Sequence, residues 1–352
     1  MNQAKSNINN EIIKFSVIIP VYNVGKYLRD ALNCLVNQTY SNFEAICVND
    51  GSTDNSLEIL KEYSNKDKRF VVITQENQGQ GIARNKAIDI ANGDYILFLD
   101  PDDLIETDTL EVLLQQIKAH KDVDIIQFDY ITLTDNPRKN RIKSFKKQAR
   151  KFLKFNLKNN QIYNWKDFQR LDLSNIGIAV WNKVYSSEFI KNNSIKFAPA
   201  KHGEDHIFSI KSTVLAKKIL YINNVLYHYR IRSNSSAVKM SDDNFCIFEN
   251  IKYVKDFLTE QNLLEELKKS YRLYLINVLS RHYMCISFNR QQEYTDKVTQ
   301  ILTQREYKLF LKKNNGKFSF VENLFSIKNQ NRNGRKVKIL RILGKTFEIS
   351  KK

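Results

Sequence analysis

The sequence predicts an α/β protein with a mostly parallel β-sheet that helices cover on both faces. Short β-rich runs alternate with segments of helical periodicity through the first 133 residues. This alternation is typical of parallel sheets, whose neighbouring strands must be joined by crossover connections. In addition, 42% of the 352 residues are hydrophobic, which is enough for one large core or two ordinary ones.

Five strands and four helices make up the alternation. The predicted strands, all rich in branched or aromatic residues, are Phe15–Pro20, Phe43–Val48, Phe70–Thr74, Asp94–Leu99 and Asp124–Leu133. Apolar residues at helical spacing predict helices over 27–36, 56–63, 82–91 and 107–119. Turn residues support these boundaries, because Pro20 closes the first strand and a polar turn over 51–55 follows the second.

The remainder of the chain is predicted to differ. The alternation ends near residue 135, and no acidic residue occurs over 136–166, where eleven residues are basic. This stretch is either a solvated loop or a surface that contacts phosphate or a membrane. Residues 245–313 are predicted to be mainly helical. Alternating apolar residues around Gly344 predict a small β-hairpin in the tail.

The net charge of +18 is unevenly distributed. Residues 1–130 contain 12 basic and 20 acidic side chains, whereas residues 131–352 contain 44 basic and 18 acidic. The first part is therefore suited to hold a cation, and the second to meet phosphates on a substrate or a membrane surface. No window reaches the roughly 18 to 20 apolar residues of a membrane span, and no apolar leader is visible. We therefore expect a cytoplasmic protein with peripheral membrane contact.

Four polar clusters follow predicted strands at their carboxyl ends. They are Pro20–Asn23, Asn49–Ser52, Gln78–Arg84 and Asp100–Asp103. In open α/β sheets, ligands bind beyond the carboxyl ends of the strands. A ligand that touches all four clusters would have to be long and partly anionic.

The sharpest of these clusters is Asp100-Pro101-Asp102-Asp103. Three carboxylates in four residues repel one another unless a cation joins them. Oxygen ligands, waters and phosphates suit Mg²⁺ or Mn²⁺, which would neutralise a departing diphosphate. The alternative is a solvated turn that caps the following helix.

Asp50 and Arg84 each allow two interpretations. Asp50 closes a strand in a tight turn, where it accepts a hydrogen bond either from a base or ribose or within an Asx turn. Arg84 lies on the first turn of a helix behind a glycine-containing segment. Its guanidinium either holds phosphate together with the backbone or belongs to an ordinary surface arginine.

The stretch SVIIPVYN … QTYSNFEAICVNDGSTDNS … NQGQGIARNKAIDIANGDYILFLDPDD closely resembles the family 2 glycosyltransferases of the GT-A fold. The resemblance covers about residues 14–133. It continues more weakly in WNKVY (181–185), GEDHIF (203–208) and YHYRIRSNSS (227–236), which are similar to acceptor-side elements of bacterial capsule, lipooligosaccharide and polysaccharide members. It implies the following division of the chain: a GT-A domain over 1–240 with a nucleotide half (14–133) and an acceptor half (134–240), a mainly helical region over 241–327, and a basic tail over 328–352.

The resemblance implies an inverting transfer of a hexose or N-acetylhexosamine from a nucleotide diphosphate sugar to a glycan or lipid-linked acceptor. The expected nucleotide is uridine diphosphate, and the expected metal is Mn²⁺ or Mg²⁺. The implied donor-binding residues are Pro20, Tyr22, Asn23, Asp50, Arg84 and Asp100. Asp100 and Asp102 match the DxD metal motif. Asn49 departs from the family pattern, since many relatives carry Asp there.

An inverting transfer needs one general base to deprotonate the acceptor hydroxyl. Glu204 and Asp205 match the family's ED motif, with Asp205 assigned as the base and Glu204 to position the acceptor. Lys183, Arg230 and Arg232 are candidates to close over the diphosphate. Two further residues keep a structural alternative. Trp181 either stacks on a sugar or packs inside, and His228 is either an additional metal or phosphate ligand or a structural histidine.

Four other classes of protein are alternatives to a glycosyltransferase. A dinucleotide-binding oxidoreductase needs GxGxxG directly after the first strand, which is absent. His202-Gly-Glu-Asp-His206 fits no zinc-peptidase pattern. A nucleic-acid-binding protein is suggested by the charge alone, and a non-catalytic glycan-binding relative remains an alternative. The tail over 328–352, with nine basic residues and one acidic residue, predicts binding to an anionic membrane; the alternative is a hairpin that docks on the enzyme.

Overall fold

The computed structural model describes residues 12–134, 140–168, 171–200, 203–231 and 245–314, and the backbone of three segments, 325–332, 335–342 and 345–349. The chain forms two compact units, Met1–Leu273 and Tyr274–Lys352. Of the helices that fall in the described segments, none combines the length and apolar character that crossing a membrane requires.

The first unit contains a ten-stranded mixed sheet and its covering helices. Its strands are β1 (Phe15–Val21), β2 (Phe43–Asp50), β3 (Phe70–Gln75), β4 (Tyr95–Phe98), β5 (Leu104–Ile105), β6 (Ile125–Leu133), β7 (Arg141–Lys143), β8 (Gln161–Tyr163), β9 (Lys183–Ser186) and β10 (Ile219–Arg230). Its helices are α1 (Gly25–Val36), α2 (Ser56–Lys66), α3 (Gln80–Ile90), α4 (Thr109–Ala119), α5 (Phe145–Gln148), α6 (Ser187–Asn192), α7 (Asp205–Leu215) and α8 (Ile247–Glu260). The five predicted strands and four predicted helices are confirmed as β1 to β4, β6 and α1 to α4.

The strand order β3-β2-β1-β4-β9-β6-β10-β5 places the carboxyl ends of six strands at one edge of the sheet. Strands β1 to β4 are mutually parallel, and so are β6 and β10. Strand β9 is antiparallel to both β4 and β6, so these two run in the same direction. The edge of the sheet at which these six strands end is called the carboxyl edge below. The amino end of β9 lies at the same edge.

Strand β1 lies at the centre of the core. All of its residues are buried, because helices cover both faces of the sheet. The ladder between β1 and β4 ends at Ile18, whose carbonyl accepts from the backbone N–H of Leu99. The backbone groups of Ile18 and Pro20 point to the same side of β1. At Pro20 strand β4 no longer pairs on that side, so the missing N–H of proline costs the sheet no hydrogen bond. Beyond this point the chain segments that follow β1 and β4 are no longer paired with each other.

The second unit combines helices with a small antiparallel sheet. Helix α9 (Lys268–Tyr283) crosses the division between the units and is followed by α10 (Gln291–Ile301) and α11 (Gln304–Asn314). The sheet contains β11 (Phe325–Arg332), β12 (Arg335–Ile342) and β13 (Lys345–Ile349). The predicted tail hairpin is confirmed as β12 and β13, which pair antiparallel. Strand β11 was not predicted, because most of its residues after Ile327 are polar.

An aromatic cluster supports the strand that leads to the aspartate-rich turn. Phe98 of β4 is fully buried and makes edge contacts with Tyr185 of β9, Phe197 and Phe208 of α7, at centroid distances of 5.3–5.8 Å. Burial of such rings is among the larger contributions to a core, and edge contacts add to it. The cluster therefore fixes β4, β9 and α7 relative to one another, immediately below the carboxyl edge.

Phe98→Ala should lower the free energy of unfolding by about 3–5 kcal/mol, because it removes a buried ring and leaves a cavity. Denaturant unfolding of the full chain measures the loss. The matched control is Ile142→Ala, since Ile142 is 59% exposed and its removal should change stability little. Equal losses in the two variants would contradict the role given to the cluster.

Candidate active site

The turns after β1 and β2 are tied together by Asn23. Its backbone has φ +50°, and its side-chain Oδ1 accepts from the N–H groups of Thr53 at 2.7 Å and Asp54 at 3.3 Å. The amide oxygen of Asn23 is therefore used within the protein. Neighbouring Tyr22, which is 48% exposed, remains at the surface of the carboxyl edge, where a planar ligand can stack on it.

Asp50 fixes the loop that leads into α3. Its carboxylate is 2% exposed; Oδ1 accepts from the N–H of Gln78 at 2.8 Å, and Oδ2 from the N–H of Gly79 at 2.8 Å. Gly79 adopts φ +89°, a conformation that favours glycine. The local turn is made by Asn49 instead, whose Oδ1 accepts from the N–H of Ser52. The donor role of Asp50 stays a prediction.

Arg84 joins two of the predicted motifs. The guanidinium is 2% exposed; Nη2 lies 2.6 Å from Asp100 Oδ1, and Nη1 lies 3.1 Å from Glu204 Oε1. Burial disfavours its charge, but the two carboxylates outweigh burial and raise the pKa of Arg84. The surface-arginine interpretation is therefore wrong. In the structure Arg84 holds protein carboxylates together at the carboxyl edge.

The two residues of the ED motif have different environments. Glu204 is buried, and its Oε1 accepts from Gln80 Nε2 at 2.6 Å as well as from Arg84. Burial, together with the charge of Asp205, raises the pKa of Glu204 to about 7. Asp205 is half-buried at the first position of α7, and no other described residue donates a hydrogen bond to its side chain. Burial raises the pKa of Asp205 to about 6, although Arg84 opposes this shift.

Asp103 anchors the aspartate-rich turn to β10. It is 1% exposed; Oδ2 accepts from the Tyr227 hydroxyl at 2.8 Å, and Oδ1 from the N–H of Arg230 at 2.7 Å. Burial, with the charges of Asp100 and Asp102, raises the pKa of Asp103 to about 8. Arg230 also donates from Nε to the carbonyl of Asp102, so it holds the turn. Sequence reasoning gave Asp103 no separate role, because its partners lie more than 120 residues away.

The acidic turn is suited to a hard divalent cation. Burial is the main cause of the raised pKa of Asp103, and the negative charges of Asp100 and Asp102 add to it. Within the described parts of the chain, no three His, Cys, Asp or Glu side chains converge as a preformed metal cage. A cation would therefore be held by Asp100, Asp102 and oxygens of the substrate, a donor set that Mg²⁺ and Mn²⁺ accept. His228 instead lies with Nε2 2.5 Å from Glu106 Oε1, which supports the structural interpretation of this histidine.

Trp181 and Lys183 lie at the same edge but are engaged by the protein. The Trp181 ring stacks on Tyr227 and Tyr229, with centroids 4.5 and 5.2 Å away. Lys183 is 2% exposed, and its Nζ donates to the carbonyls of Gly177 at 2.6 Å and Ala179 at 2.5 Å. Burial lowers the pKa of Lys183 to about 7. Arg232, the other cation predicted near the diphosphate, lies outside the described residues.

Sequence comparison identifies the family. Residues 16–177 match glycosyl transferase family 2. The chain is 32% identical to EpsH of Bacillus subtilis over 285 residues, which is 74% of each protein. It is also 29% identical over 295 residues to TarS of Staphylococcus aureus, a poly(ribitol-phosphate) β-N-acetylglucosaminyltransferase; these residues are 82% of this chain and 47% of TarS. The chain therefore belongs to glycosyltransferase family 2.

Structural comparison confirms the predicted GT-A fold. The crystal structure of S. aureus TarS 1–349 in complex with UDP-GlcNAc superimposes with a TM-score of 0.55, covering 93% of this chain and 96% of TarS 1–349. The sequence identity over this alignment is 20%, so the likeness concerns the fold. Together with family membership, it excludes the oxidoreductase and peptidase alternatives.

Arg84→Met should lower the free energy of unfolding by about 3–5 kcal/mol, because it leaves Glu204 buried without its cation. The loss should grow as the pH rises. Glu204 has a folded pKa above its unfolded value, so the ionised side chain opposes folding more strongly once its partner is removed. Thermal unfolding between pH 5 and pH 8 measures both effects.

The control for Arg84→Met is Arg29→Met, which breaks an exposed ion pair with Glu62. That variant should unfold almost as the unmodified chain does, because solvent screens such pairs. If Arg84→Met unfolded like Arg29→Met at every pH, the ion pairs of Arg84 would have no structural role.

Proposed function

We propose that this protein is an inverting, metal-dependent glycosyltransferase that moves a hexose or N-acetylhexosamine from a UDP-sugar to a glycan or lipid-linked acceptor in bacterial polysaccharide synthesis. The observation that carries this proposal is the buried Arg84, which ties Asp100 of the predicted metal motif to Glu204 beside the predicted base. The UDP-GlcNAc complex of TarS supports the choice of donor. The name of TarS, a poly(ribitol-phosphate) β-N-acetylglucosaminyltransferase, supports a polymeric acceptor.

Asp205 is the proposed general base. Its carboxylate takes the proton of the acceptor hydroxyl while the hydroxyl oxygen forms a bond to the anomeric carbon. The bond from that carbon to the diphosphate breaks on the opposite face, so the configuration inverts. A pKa of about 6 leaves Asp205 mostly ionised at neutral pH, yet basic enough to accept a proton.

The other residues position these groups. Asp100 and Asp102 would hold the Mn²⁺ or Mg²⁺, which neutralises charge on the leaving diphosphate when it is bound. Glu204 accepts from Gln80 and Arg84 and so keeps the start of α7 in place beside the donor loop. The positive charge of Arg84 favours the ionised form of Asp205, and Lys183 adds to this effect while it is protonated.

We further propose that the enzyme works at the cytoplasmic face of a membrane. The support is the composition of residues 328–352, in which nine basic residues accompany one acidic residue. Each basic residue near an anionic surface contributes about 1 kcal/mol at most, so several together hold a protein there reversibly. Lipid-linked acceptors would be presented at that surface.

Asp205→Asn should lower turnover by roughly a hundredfold or more, the usual loss when a general base is removed. Donor affinity should hardly change, because Asp205 faces the acceptor in this mechanism. In the unmodified enzyme, kcat/KM should fall below about pH 6 as Asp205 becomes protonated. Steady-state kinetics with UDP-GlcNAc and calorimetric UDP titration give the two readouts.

The matched control is Asp108→Asn, because Asp108 is an exposed carboxylate just before another helix, α4. It should leave turnover unchanged. Loss of donor affinity with normal turnover in Asp205→Asn would show that Asp205 is not the base.

Asp102→Ala should nearly abolish transfer, because one of the two carboxylates proposed to hold the cation is lost. Mn²⁺ should strengthen UDP binding to the unmodified chain, and this enhancement should disappear in the variant while the thermal unfolding temperature is retained. Calorimetric titration with and without Mn²⁺ measures it. Full activity in excess chelator would refute metal dependence.

A further inference from the structure

Four aromatic rings form a shelf at the carboxyl edge of β6 and β10. We define the aromatic shelf as Tyr130, Trp181, Tyr227 and Tyr229. The Tyr130 ring meets Trp181 edge-on at 4.6 Å, and Trp181 stacks over both tyrosines of β10. Tyr227 is buried, while the other three rings are partly exposed. Because Tyr227 donates to Asp103, the shelf adjoins the aspartate-rich turn.

The basic strand β7 lies beside the aromatic shelf, next to β6. Strand β7 pairs antiparallel with β6, so that Lys143 lies opposite Tyr130, and Arg141 lies opposite Thr132. Directly opposite residues of an antiparallel pair project from the same face of a sheet. Lys143 and Arg141 are both exposed, and they share the face that carries Tyr130.

The charged residues of the segment that contains and follows β7 are all positive. No acidic residue occurs over 140–166. Five further basic residues that follow β7 are also exposed: Lys146, Lys147, Arg150, Lys151 and Lys154. Neighbouring strands lie about 5 Å apart, so β7 is roughly 10 Å from β10 across β6. The result is a continuous surface that is aromatic beside the acidic turn and cationic beyond it.

We propose that this surface is an acceptor subsite for a phosphate-bearing glycan, with a sugar ring on the aromatic shelf and a phosphate of the acceptor on Lys143 and Arg141. This inference rests on the proposed glycosyl transfer and adds the chemical class of the acceptor. Aromatic faces suit the apolar face of a sugar, and guanidinium and ammonium groups suit phosphate oxygens.

The position of the cations favours an acceptor phosphate over the donor diphosphate or a membrane. The aspartate-rich turn, which is the proposed site of the donor diphosphate, is anchored to β10 by Asp103, whereas β7 pairs with the other side of β6. A membrane contact would not require aromatic rings beside the cations at the substrate-binding edge. The aromatic shelf and the cations of β7 lie next to each other on one face of the sheet. A ligand in which sugars and phosphates alternate requires this arrangement.

The test is binding of phosphorylated dextran, a glycan that carries phosphate on its sugar rings, to the full chain, with neutral dextran as the uncharged glycan. The variant is Arg141→Glu/Lys143→Glu, which reverses the two charges of β7. Its matched control is Lys118→Glu/Lys121→Glu, two exposed lysines at the end of α4 on the opposite edge of the sheet. Each protein is titrated with the glycans at low and high salt, and with UDP in the presence of Mn²⁺. Sedimentation with phosphatidylglycerol and phosphatidylcholine vesicles measures membrane binding.

The charge reversal on β7 should weaken the binding of phosphorylated dextran about tenfold or more and remove most of its salt dependence, because phosphate contacts are lost. UDP binding should remain unchanged, and the α4 variant should bind as the unmodified chain does. Tyr229→Leu should also weaken polymer binding, since it removes a ring of the shelf but no charge.

Three results would overturn the proposal. The two charge variants could lose binding of the phosphorylated dextran equally. The phosphorylated dextran could bind no better than neutral dextran. Finally, the β7 variant could lose only its binding to phosphatidylglycerol vesicles. The last result would assign the basic strand to a membrane. Absence of UDP binding by the unmodified chain would instead refute the proposed transfer itself, so the two failures can be told apart.

Discussion

The buried guanidinium of Arg84 is the interaction on which the arrangement of the site depends. A charge in the interior is costly unless its partners and hydrogen bonds are in place. The charge of Arg84 is balanced by the carboxylates of Asp100 and Glu204, at 2.6 and 3.1 Å. Since these residues belong to α3, the turn after β4 and the start of α7, one side chain fixes three elements together. The predicted metal motif and the predicted base are positioned by the same contact.

The carboxylates at the carboxyl edge differ in their surroundings, and this difference separates their roles. Asp50 has both oxygens bound to the loop before α3, and Asp103 is bound to β10. Glu204 is committed to Arg84, whereas Asp205 receives no hydrogen bond from another described side chain. Burial raises the pKa values of Glu204 and Asp205, and cations limit the shift for both. Asp50 and Asp103 therefore stabilise the loops of the site, whereas Asp205 is left for the proposed proton transfer.

The pairing of strands in residues 134–240 distinguishes between two interpretations of the basic stretch. The basic stretch after residue 135 fits a solvated loop equally well when it is considered as sequence alone. Pairing of β7 with β6 places Lys143 opposite Tyr130, and Trp181 connects that tyrosine to β10. The cations are thereby fixed next to aromatic rings rather than scattered over the surface. This neighbourhood is the basis of the proposed recognition of an acceptor by sugar stacking and phosphate contact.

The sequence by itself determined the alternating strands and helices and the motifs at the strand ends, because periodicity and turn chemistry are local. It also determined the family, through SVIIPVYN, NDGSTDNS and the aspartate-rich turn. Only the tertiary structure decided the partners of the site residues. Arg84 meets Glu204 across 120 positions, and Asp103 meets Tyr227 across 124. Such contacts depend on strand order and on the antiparallel insertion of β9, which residue patterns along a single segment do not encode.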